Sequence, residues 1–285
     1  MAYGGIYRPM KDAKIELISG KSIFVLIIDY YYLCKQIGNE ITLLDKKVLL
    51  IGAGSLGSYI ARELVKTGVR SLTVYDKELL EEENLLRHTI GDLWVDCSKV
   101  FGLKCELERI HPEIHINAVE KNIDKNLLVA EMKKADLILF AVGSSTVQWE
   151  MNKILKEQKC NVKVIYTWLE AGGENSHILS IDYNKQGCFQ CLFTDEQGCL
   201  INNKANNVSE IDVEAYKIRN GCGGTRVAYG NAVLRTTAVL LDVIRKNFER
   251  AESTNNLINI TPTDVIDVKD TFVERKCRCC GDEDI

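Results

Sequence analysis

Proline and long apolar runs are both scarce in this chain of 285 residues. Only three prolines are present, which argues against a proline-rich disordered or fibrous protein. The most apolar early run, Ile23 to Leu33, is interrupted by Asp29 and is too short to span a bilayer. The first residues, MAYGGIYRPMK, lack the apolar core of a signal peptide. We therefore expect a cytoplasmic protein that has no contact with a membrane.

An excess of basic charge is also missing. The formal net charge is -4, so the protein has no general positive field and nucleic acid is not expected as a partner. The chain is 46% hydrophobic and 27% charged, which is typical of a globular protein with a sizeable core. Its eleven cysteines include two CxxC pairs, a pattern that suits a reducing compartment with metal or catalytic roles for some thiols.

The chain divides into two predicted parts. Residues 1–44 are predicted to form an N-terminal extension, with a β-hairpin around Gly20 and Lys21 followed by a short helix in YYYLCKQIGNEI. Residues 45–285 are predicted to form the second domain, in which apolar strands alternate with helical segments as far as Ala171. This alternation predicts a doubly wound α/β fold with a mostly parallel sheet that is covered on both faces.

The alternation ends after Gly173. HILSIDY predicts one more strand, and residues 194–224 form a polar crossover loop of a length that is usually associated with function or disorder. This loop is rich in asparagine, including Asn202, Asn203, Asn206 and Asn207. A long helix is predicted from Thr225 to Asn247, and a short β-like tail follows it.

A glycine motif marks the first strand-to-helix turn. Gly52, Gly54 and Gly57 form GxGxxG between the strand KKVLLIG and a helix, and Asp76 ends the next strand. The glycines allow phosphates to approach the backbone, the helix N-terminus favours negative charge, and the aspartate can accept hydrogen bonds from a ribose. The context predicts a Rossmann-like nucleotide site without specifying the nucleotide.

Cationic side chains after Asp76 favour a triphosphate. Arg87 and Lys99 could neutralise the charge of phosphates that are attacked by an anion, and Asn84 can both donate and accept hydrogen bonds. A dehydrogenase needs no cations at this place. An NAD-dependent oxidoreductase nevertheless stays open, because GxGxxG followed by an acidic residue is also the dinucleotide fingerprint.

The series Asp76, ENLLRH and Lys99 resembles the D…NLNRQ…K pattern of the ubiquitin-activating-like superfamily that includes ThiF and MoeB. WLEAGGENSHILSID followed by GCFQCLF also resembles the activating domain of bacterial anti-phage, CBASS-type ubiquitin-like conjugation proteins. The resemblance covers roughly residues 45–285. It implies that ATP, with magnesium, adenylates the C-terminal glycine of a ubiquitin-like or sulfur-carrier β-grasp protein. A separate conjugating-type protein and a homodimeric state are further implications.

The resemblance also assigns roles to residues of this chain. The turn Gly52–Gly57 and Asp76 would hold ATP, while Asn84, Arg87 and Lys99 would meet its phosphates, the two cations taking part in catalysis. His88 stands where many members have glutamine. There are two departures. Gly143 or Ser144 occupies the usual place of an acidic magnesium contact, and no arginine lies some two dozen residues before the glycine turn, since Arg8 is too far upstream.

Four cysteines have the spacing of a structural zinc site. Cys188 and Cys191 form CFQC, and Cys277 and Cys280 form CRCC. Two CxxC pairs supply the four thiolates of a closed tetrahedral site. Cys279 could replace one of its neighbours. The expected role is to clamp the C-terminal tail to the sheet domain without taking part in catalysis.

A different cysteine is the candidate nucleophile. Cys222 lies in NGCGGTRVAYG, just before the predicted long helix. A helix N-terminus, together with Arg226, would favour its thiolate, which could attack an acyl-adenylate and form a thioester. In the resembling bacterial members a catalytic cysteine lies in a similar crossover loop. Cys199, in the same loop, is the reserve candidate.

Two further alternatives stay open. A ThiF/MoeB-type adenylyltransferase would feed a sulfur carrier without a thioester on Cys222, and a non-catalytic subunit of a heterodimeric activating enzyme would fit Gly143 in place of an acidic residue. His177 is expected to be structural. The tryptophans are expected to be core residues rather than substrate platforms: Trp94, Trp149 and Trp168.

Overall fold

The structure, a computed structural model, describes residues 29–38, 43–206, 216–219, 225–249, 255–268 and 277–280. The strands in these residues are β1 Lys47–Ile51, β2 Ser71–Tyr75, β3 His115–Val119, β4 Leu137–Phe140, β5 Lys163–Leu169, β6 Ser176–Ile181, β7 Lys217–Arg219, β8 Thr225–Val227, β9 Asn256–Ile260 and β10 Val265–Val268. The α-helices are α1 Tyr30–Gln36, α2 Ser55–Lys66, α3 Lys99–Glu108, α4 Lys125–Met132, α5 Ser145–Glu157 and α6 Ala232–Glu249. Short 3₁₀ helices span Glu82–Arg87, Asp92–Trp94, Ala171–Gly173 and Phe189–Phe193.

Eight strands form one twisted sheet in the order β10-β9-β6-β5-β4-β1-β2-β3. Strands β1 to β5 pair in parallel, whereas β6, β9 and β10 join antiparallel at one edge. The strand order reverses between β1 and β4, which places a crevice at their carboxyl ends. The predicted α/β fold with a mostly parallel sheet is confirmed.

The sheet is buried on both faces because its central strands are apolar at consecutive positions. In β1, Val48 and Leu50 belong to one core cluster, and Leu49 and Ile51 belong to the other. Residues of α2, α3 and α6 pack in the first cluster, and residues of α4 and α5 pack in the second. This covering leaves the carboxyl ends of the parallel strands as the accessible edge of the central sheet.

Helix α1 packs onto the sheet domain. The buried side chains of Tyr30 and Cys34 belong to the first core cluster, and the hydroxyl of Tyr30 donates a hydrogen bond to the carbonyl of Val65 in α2. The short helix expected after the hairpin is therefore present, and it contributes apolar contacts to the domain that begins with β1. The hairpin itself, expected in residues 14–29, lies outside the described residues except for Asp29, which is the N-cap of α1.

The predicted helix from Thr225 to Asn247 is wrong at its start. Residues Thr225–Val227 form β8 and pair antiparallel with β7, and the helix begins only at Ala232. Gly230 has a φ of 46°, a left-handed conformation that interrupts the chain between strand and helix. Strand β9 was not predicted, because its five residues, which include two asparagines, resemble a connection more than a strand.

Among the described residues, no helix is both long and apolar enough to cross a membrane.

Candidate functional site

A cavity of about 670 Å³ opens at the carboxyl ends of the parallel strands. Its walls come from the turn after β1, the loop after β4, the end of β5 and two short 3₁₀ helices. The lining residues at the β1 end include Gly54, Ser55, Asn84, Arg87 and Lys99. The crevice at the strand-order reversal is where open α/β sheets bind ligands, so the fold places this cavity at the expected site.

The glycine turn is required by close packing. Gly52 has a φ of 99°, and a Cβ atom there would lie 2.6 Å from the carbonyl oxygen of Ala141. A Cβ on Gly57 would collide with the carbonyl oxygen of Gly52. Gly54 is the N-cap of α2 and has open space around it. The glycines therefore bring α2 against the sheet and leave its N-terminal amides open to the cavity.

Two side chains hold this turn in place. Asp76 accepts hydrogen bonds from the amides of Ala53 at 2.7 Å and Glu78 at 2.9 Å, and burial raises the pKa of its carboxyl. His88 lies 2.7 Å from the carbonyl oxygen of Ala53 through Nε2, while its Nδ1 accepts from the amide of Ile90. These contacts fix the Nε2–H tautomer of a neutral ring. Asp76 is not among the residues that line the cavity.

Burial lowers the pKa of His88 to about 4. The unfolded value is about 6.5, so the neutral ring stabilises the folded protein fully above that pH and loses this contribution as the pH falls to about 4. We expect roughly 2–3 kcal/mol of unfolding free energy to disappear between pH 7 and pH 4.5 for this reason. His88→Gln keeps an N–H donor and does not titrate, so it should lose correspondingly less. Urea unfolding at both pH values measures the difference.

His115→Gln is the matched control because His115 is exposed at the start of β3. This variant leaves the glycine turn untouched, so it should keep the loss of unfolding free energy between pH 7 and pH 4.5 that is assigned to His88. An unchanged pH dependence in His88→Gln would contradict the assigned tautomer and its contact with the glycine turn.

Cations gather at the same end of the cavity. Lys99 is only 6% exposed and pairs with Glu78 at 2.5 Å, and Arg87 donates from Nη1 to the hydroxyl of Tyr229 at 2.8 Å. Buried polar atoms usually have partners, yet in the described part of the chain Nε of Arg87 and Oγ of Ser55 have none. These two atoms and the hydroxyl of Thr167 belong to residues that line the cavity, and each is buried without a partner in the described residues.

The other end of the cavity is lined by aromatic rings and asparagine side chains. Thr167 and Trp168 end β5, while Phe189 and Phe193 come from the 3₁₀ helix Phe189–Phe193. The indole Nε1 of Trp168 donates to Oδ1 of Asn206 at 3.0 Å. Trp168 packs against the second core cluster, as expected, and its position at the carboxyl end of β5 also makes it part of the cavity wall.

The residues that sequence reasoning missed come mostly from this end and from the helix after β4. They are Glu78, Gln148, Thr167, Trp168, Phe189, Phe193 and Tyr229. A usable signal existed for Thr167 and Trp168, which follow directly from the rule that ligands bind at the carboxyl ends of parallel strands. Asn203 and Asn206 of the polar crossover loop also line the cavity.

The segment after β4 brings no acidic side chain to the cavity. Gly143 lines it with open space beside its Cα, and the hydroxyl of Ser144 accepts from the amide of Val147 at 3.4 Å as the N-cap of α5. Within the described ranges, Glu78 is the only carboxylate in the lining. Glu78 would be the one such group within reach of a magnesium ion there, and it already pairs with Lys99.

The four predicted zinc ligands lie together. The sulfur atoms of Cys188, Cys191, Cys277 and Cys280 all lie within 4.8 Å of one another, and five of their separations are 3.2 to 4.0 Å. Zn–S bonds of about 2.3 Å in a tetrahedron separate sulfurs by about 3.8 Å, so the cluster fits a zinc ion. Cys279 lies beside it as a fifth thiol, within reach of Asn152 at 3.4 Å.

The candidate nucleophiles differ in what the structure describes. Cys222 lies outside the described residues. Cys199 is exposed in a turn, where its amide donates to Asp195 at 2.7 Å, and it does not line the cavity. His177 is fully buried, with Nε2 2.5 Å from Glu170 and Nδ1 2.7 Å from Asn259. The first contact ties β6 to the residue that follows β5, the second ties β6 to β9, and both are consistent with the expected structural role.

The fold and the cavity define a Rossmann-like α/β protein with a ligand site at the strand-order reversal. The chain belongs to the ThiF family, which matches residues 35–271. The predicted resemblance to the ThiF/MoeB superfamily is confirmed.

Two named proteins are similar to parts of this chain. The chain is 27% identical over 203 residues to the ATP-dependent ubiquitin transferase-like protein Cap2 of Escherichia coli (strain TW11681), a match that covers 69% of this chain and 33% of that protein. It is 28% identical over 158 residues to the sulfur carrier protein ThiS adenylyltransferase of Escherichia coli (strain K12), covering 54% and 61%. The chain thus spans about a third of the length of the Cap2 protein it matches.

Solved structures support the fold. The crystal structure of E. coli MccB with ATP superposes with a TM-score of 0.63 at 18% identity, covering 85% of this chain and 68% of that one.

Proposed function

We propose that this protein is an ATP-dependent activating enzyme that adenylates the C-terminal carboxylate of a ubiquitin-like protein. One observation carries the proposal. Arg87 and Lys99 line one cavity together with Ser55 at the N-terminus of α2, and Nε of Arg87 and Oγ of Ser55 are buried without a partner in the described residues. Such a group of donors and cations is suited to a polyphosphate.

The chemistry follows from that arrangement. A carboxylate oxygen of the carrier attacks the α-phosphorus of ATP, and the bond to the β-phosphate oxygen breaks, which releases pyrophosphate and leaves an acyl-adenylate. Arg87 and Lys99 would offset the negative charge that accumulates on the phosphates, with amides of α2 as further donors. Asn84 would contact the nucleotide, and Asp76, which lies outside the lining, would hold the glycine turn in place through the amide of Ala53. A magnesium ion would have Glu78 as its nearest acidic partner in the lining.

We propose that Cys222 then accepts the activated carboxylate. Its sulfur attacks the acyl carbon, AMP leaves, and a thioester forms. A conjugating-type protein would receive the thioester next. The named relatives include an ATP-dependent ubiquitin transferase-like protein and the ubiquitin-like modifier-activating enzyme 5 of Caenorhabditis briggsae, which supports a ubiquitin-like carrier protein as the substrate. A thioester needs reduced cysteines, so we place the reaction in the cytoplasm.

The test combines pyrophosphate exchange with adduct formation. With small β-grasp proteins ending in glycine as substrates, exchange should require the carrier, and a thiol-sensitive adduct should appear on non-reducing gels. Cys222→Ala should retain exchange within about threefold and lose the adduct completely, since the thiol acts only after adenylation.

Cys199→Ala is the matched control from the same crossover loop, and it should keep both activities. Loss of the adduct in Cys199→Ala alone would move the acceptor to Cys199. No exchange with any carrier would contradict the proposed adenylation.

Two observations favour second candidates. The absence of an acidic side chain at Gly143 and Ser144 would suit a non-catalytic subunit that binds ATP and needs a partner for exchange. The match to the ThiS adenylyltransferase would suit sulfur-carrier adenylation, which predicts exchange without any thioester. Titrations with NAD and ATP side by side separate both from a dehydrogenase.

We further propose that Cys188, Cys191, Cys277 and Cys280 hold a structural zinc ion. The separations of their sulfur atoms support it, and four protein ligands leave no open position for catalysis. The site would tie the C-terminal residues 277–280 to the 3₁₀ helix Phe189–Phe193.

A further inference from the structure

The 3₁₀ helix Phe189–Phe193 lies between the cysteine cluster and the cavity. Cys188 is its N-cap and Cys191 lies within it, while Phe189 and Phe193 line the cavity. Cys188, Cys191 and Phe189 are buried. In a helix of five residues the sulfur ligands and the aromatic rings share one short piece of backbone, so the position of the sulfurs sets the position of the rings.

Asn152 of α5 connects the same two features. It is fully buried, and its amide nitrogen donates to the sulfur of Cys188 at 3.6 Å and to that of Cys279 at 3.4 Å. Its carbonyl oxygen accepts from the amide of Phe189 at 2.9 Å and the hydroxyl of Tyr183 at 2.9 Å. All four hydrogen-bonding positions of this side chain are therefore used.

Helix α5 reaches the cavity one turn before Asn152. Gln148, four residues earlier and on the same face of the helix, lines the cavity and donates to the carbonyl of Val142 at 2.6 Å. The helix thus carries one side chain to the cavity and another to the cluster. The cluster and the cavity are therefore connected twice, through α5 and through the 3₁₀ helix.

Ring contacts extend the wall beyond the two phenylalanines. Phe189 packs on Tyr166 with centroids 4.8 Å apart and meets Trp168 edge-on at 6.1 Å. Phe193 contacts Trp149 at 5.1 Å. Two of the three tryptophans of the chain therefore touch the phenylalanines of the 3₁₀ helix, so they can report its position.

We propose that metal binding by the four cysteines, transmitted through Asn152 and the helix Phe189–Phe193, positions the aromatic wall of the cavity. The metal-loaded protein is then the form with the full affinity for the cavity's ligand. This inference rests on the proposed metal site and on ATP as the ligand. It assigns the cluster a role in shaping the binding site, in addition to clamping the tail.

The experiment uses the full chain with Trp94→Phe, so that only Trp149 and Trp168 emit. Trp94 packs on the opposite core cluster and does not touch the aromatic wall. Purified protein is compared before and after metal removal with a chelator, by zinc content, acrylamide quenching of tryptophan emission, and ATP binding by calorimetry. We expect quenching to increase after metal removal. The dissociation constant for ATP should rise by about two- to tenfold, the equivalent of one lost aromatic contact.

Asn152→Ala tests the connection between the cysteine cluster and the aromatic wall while all four cysteines are retained. Outer partners of metal ligands typically contribute about 10- to 100-fold in metal affinity, so the variant should bind Co²⁺ that much more weakly. At saturating Co²⁺, confirmed by the thiolate charge-transfer bands, it should still show the higher tryptophan quenching. Ile154→Ala is the control, because it removes buried apolar contacts from the same helix and the isoleucine side chain has no polar atom that could donate to a cysteine. It should show wild-type Co²⁺ affinity and quenching.

The outcomes separate this inference from the proposed function. Metal-bound protein whose quenching does not change on chelation would overturn the inference and leave the zinc and ATP sites intact. Asn152→Ala that matches Ile154→Ala in quenching and Co²⁺ affinity would also overturn it. Protein that retains neither zinc nor Co²⁺ would refute the metal site itself, and the inference with it.

Discussion

Replacing Arg87 with alanine is expected to lower the rate of ATP–pyrophosphate exchange by about 100- to 1,000-fold, as the loss of one charge-stabilising donor does in other active sites. The rate should fall mainly through kcat, because charge builds up on the phosphates as the bond to the leaving group breaks. Steady-state exchange at saturating ATP and carrier protein measures the effect.

The structure explains why Arg87 should matter more than its neighbour Lys99. Lys99 already pairs with Glu78 at 2.5 Å, so part of its charge is offset before a ligand arrives. Arg87 donates only to the neutral hydroxyl of Tyr229, and across the described residues its Nε is buried without a partner. An uncompensated guanidinium with a free donor stabilises a polyphosphate more effectively than a cation held in an ion pair.

Arg62→Ala is the matched control. Arg62 lies on α2, pairs with Glu63 at 2.7 Å and does not line the cavity. It should leave the exchange rate within about twofold of the wild type, since exposed ion pairs contribute little. Exchange by Arg87→Ala at a similar rate, with thermal unfolding unchanged, would remove Arg87 from the proposed mechanism.

The phosphate end of the cavity could be predicted from the sequence because its residues follow one another in short, local patterns. The glycines must sit between β1 and α2, since a Cβ at Gly52 or Gly57 would meet backbone atoms. Asn84, Arg87 and Lys99 follow within one connection after β2. The parallel sheet could be predicted too, because apolar runs typical of buried strands alternate with helical segments around this part of the chain.

The aromatic end could not be predicted in the same way, because it is assembled from distant parts of the chain. Trp168 hydrogen-bonds to Asn206 across 38 residues, and Trp149 of α5 packs on Phe193 of a separate 3₁₀ helix. The residue types alone do not reveal this end of the cavity, because tryptophan and phenylalanine are as common in a hydrophobic core as in a cavity wall.

The start of α6 was misplaced for a related reason, because Thr225–Val227 obtain their hydrogen bonds from β7 rather than from a helix. Pairing between distant segments overrides local propensity.

Cys277→Ser is expected to produce the largest loss of stability among the substitutions considered. A ligand present at about 1,000 times its dissociation constant stabilises the folded state by about 4 kcal/mol. For a domain of this size that corresponds to a fall in Tm of roughly 10 °C. The variant should also lose its zinc, because three thiolates bind the ion more weakly than four. Differential scanning calorimetry and metal analysis measure both effects.

The dependence on chelator distinguishes a metal clamp from ordinary packing of a buried thiol. Cys160→Ser is the control, since Cys160 is buried in the same core cluster but is not part of the four-cysteine group. It should keep its zinc, and its Tm should fall further when a chelator is added, as the Tm of the wild type does. Cys277→Ser should already melt where the chelated wild type melts and should not respond to chelator. If the Tm of Cys277→Ser still fell on addition of chelator, Cys279 would have replaced the missing ligand, because its sulfur already lies beside the cluster. The Tm of the double variant Cys277→Ser/Cys279→Ser should then be insensitive to chelator.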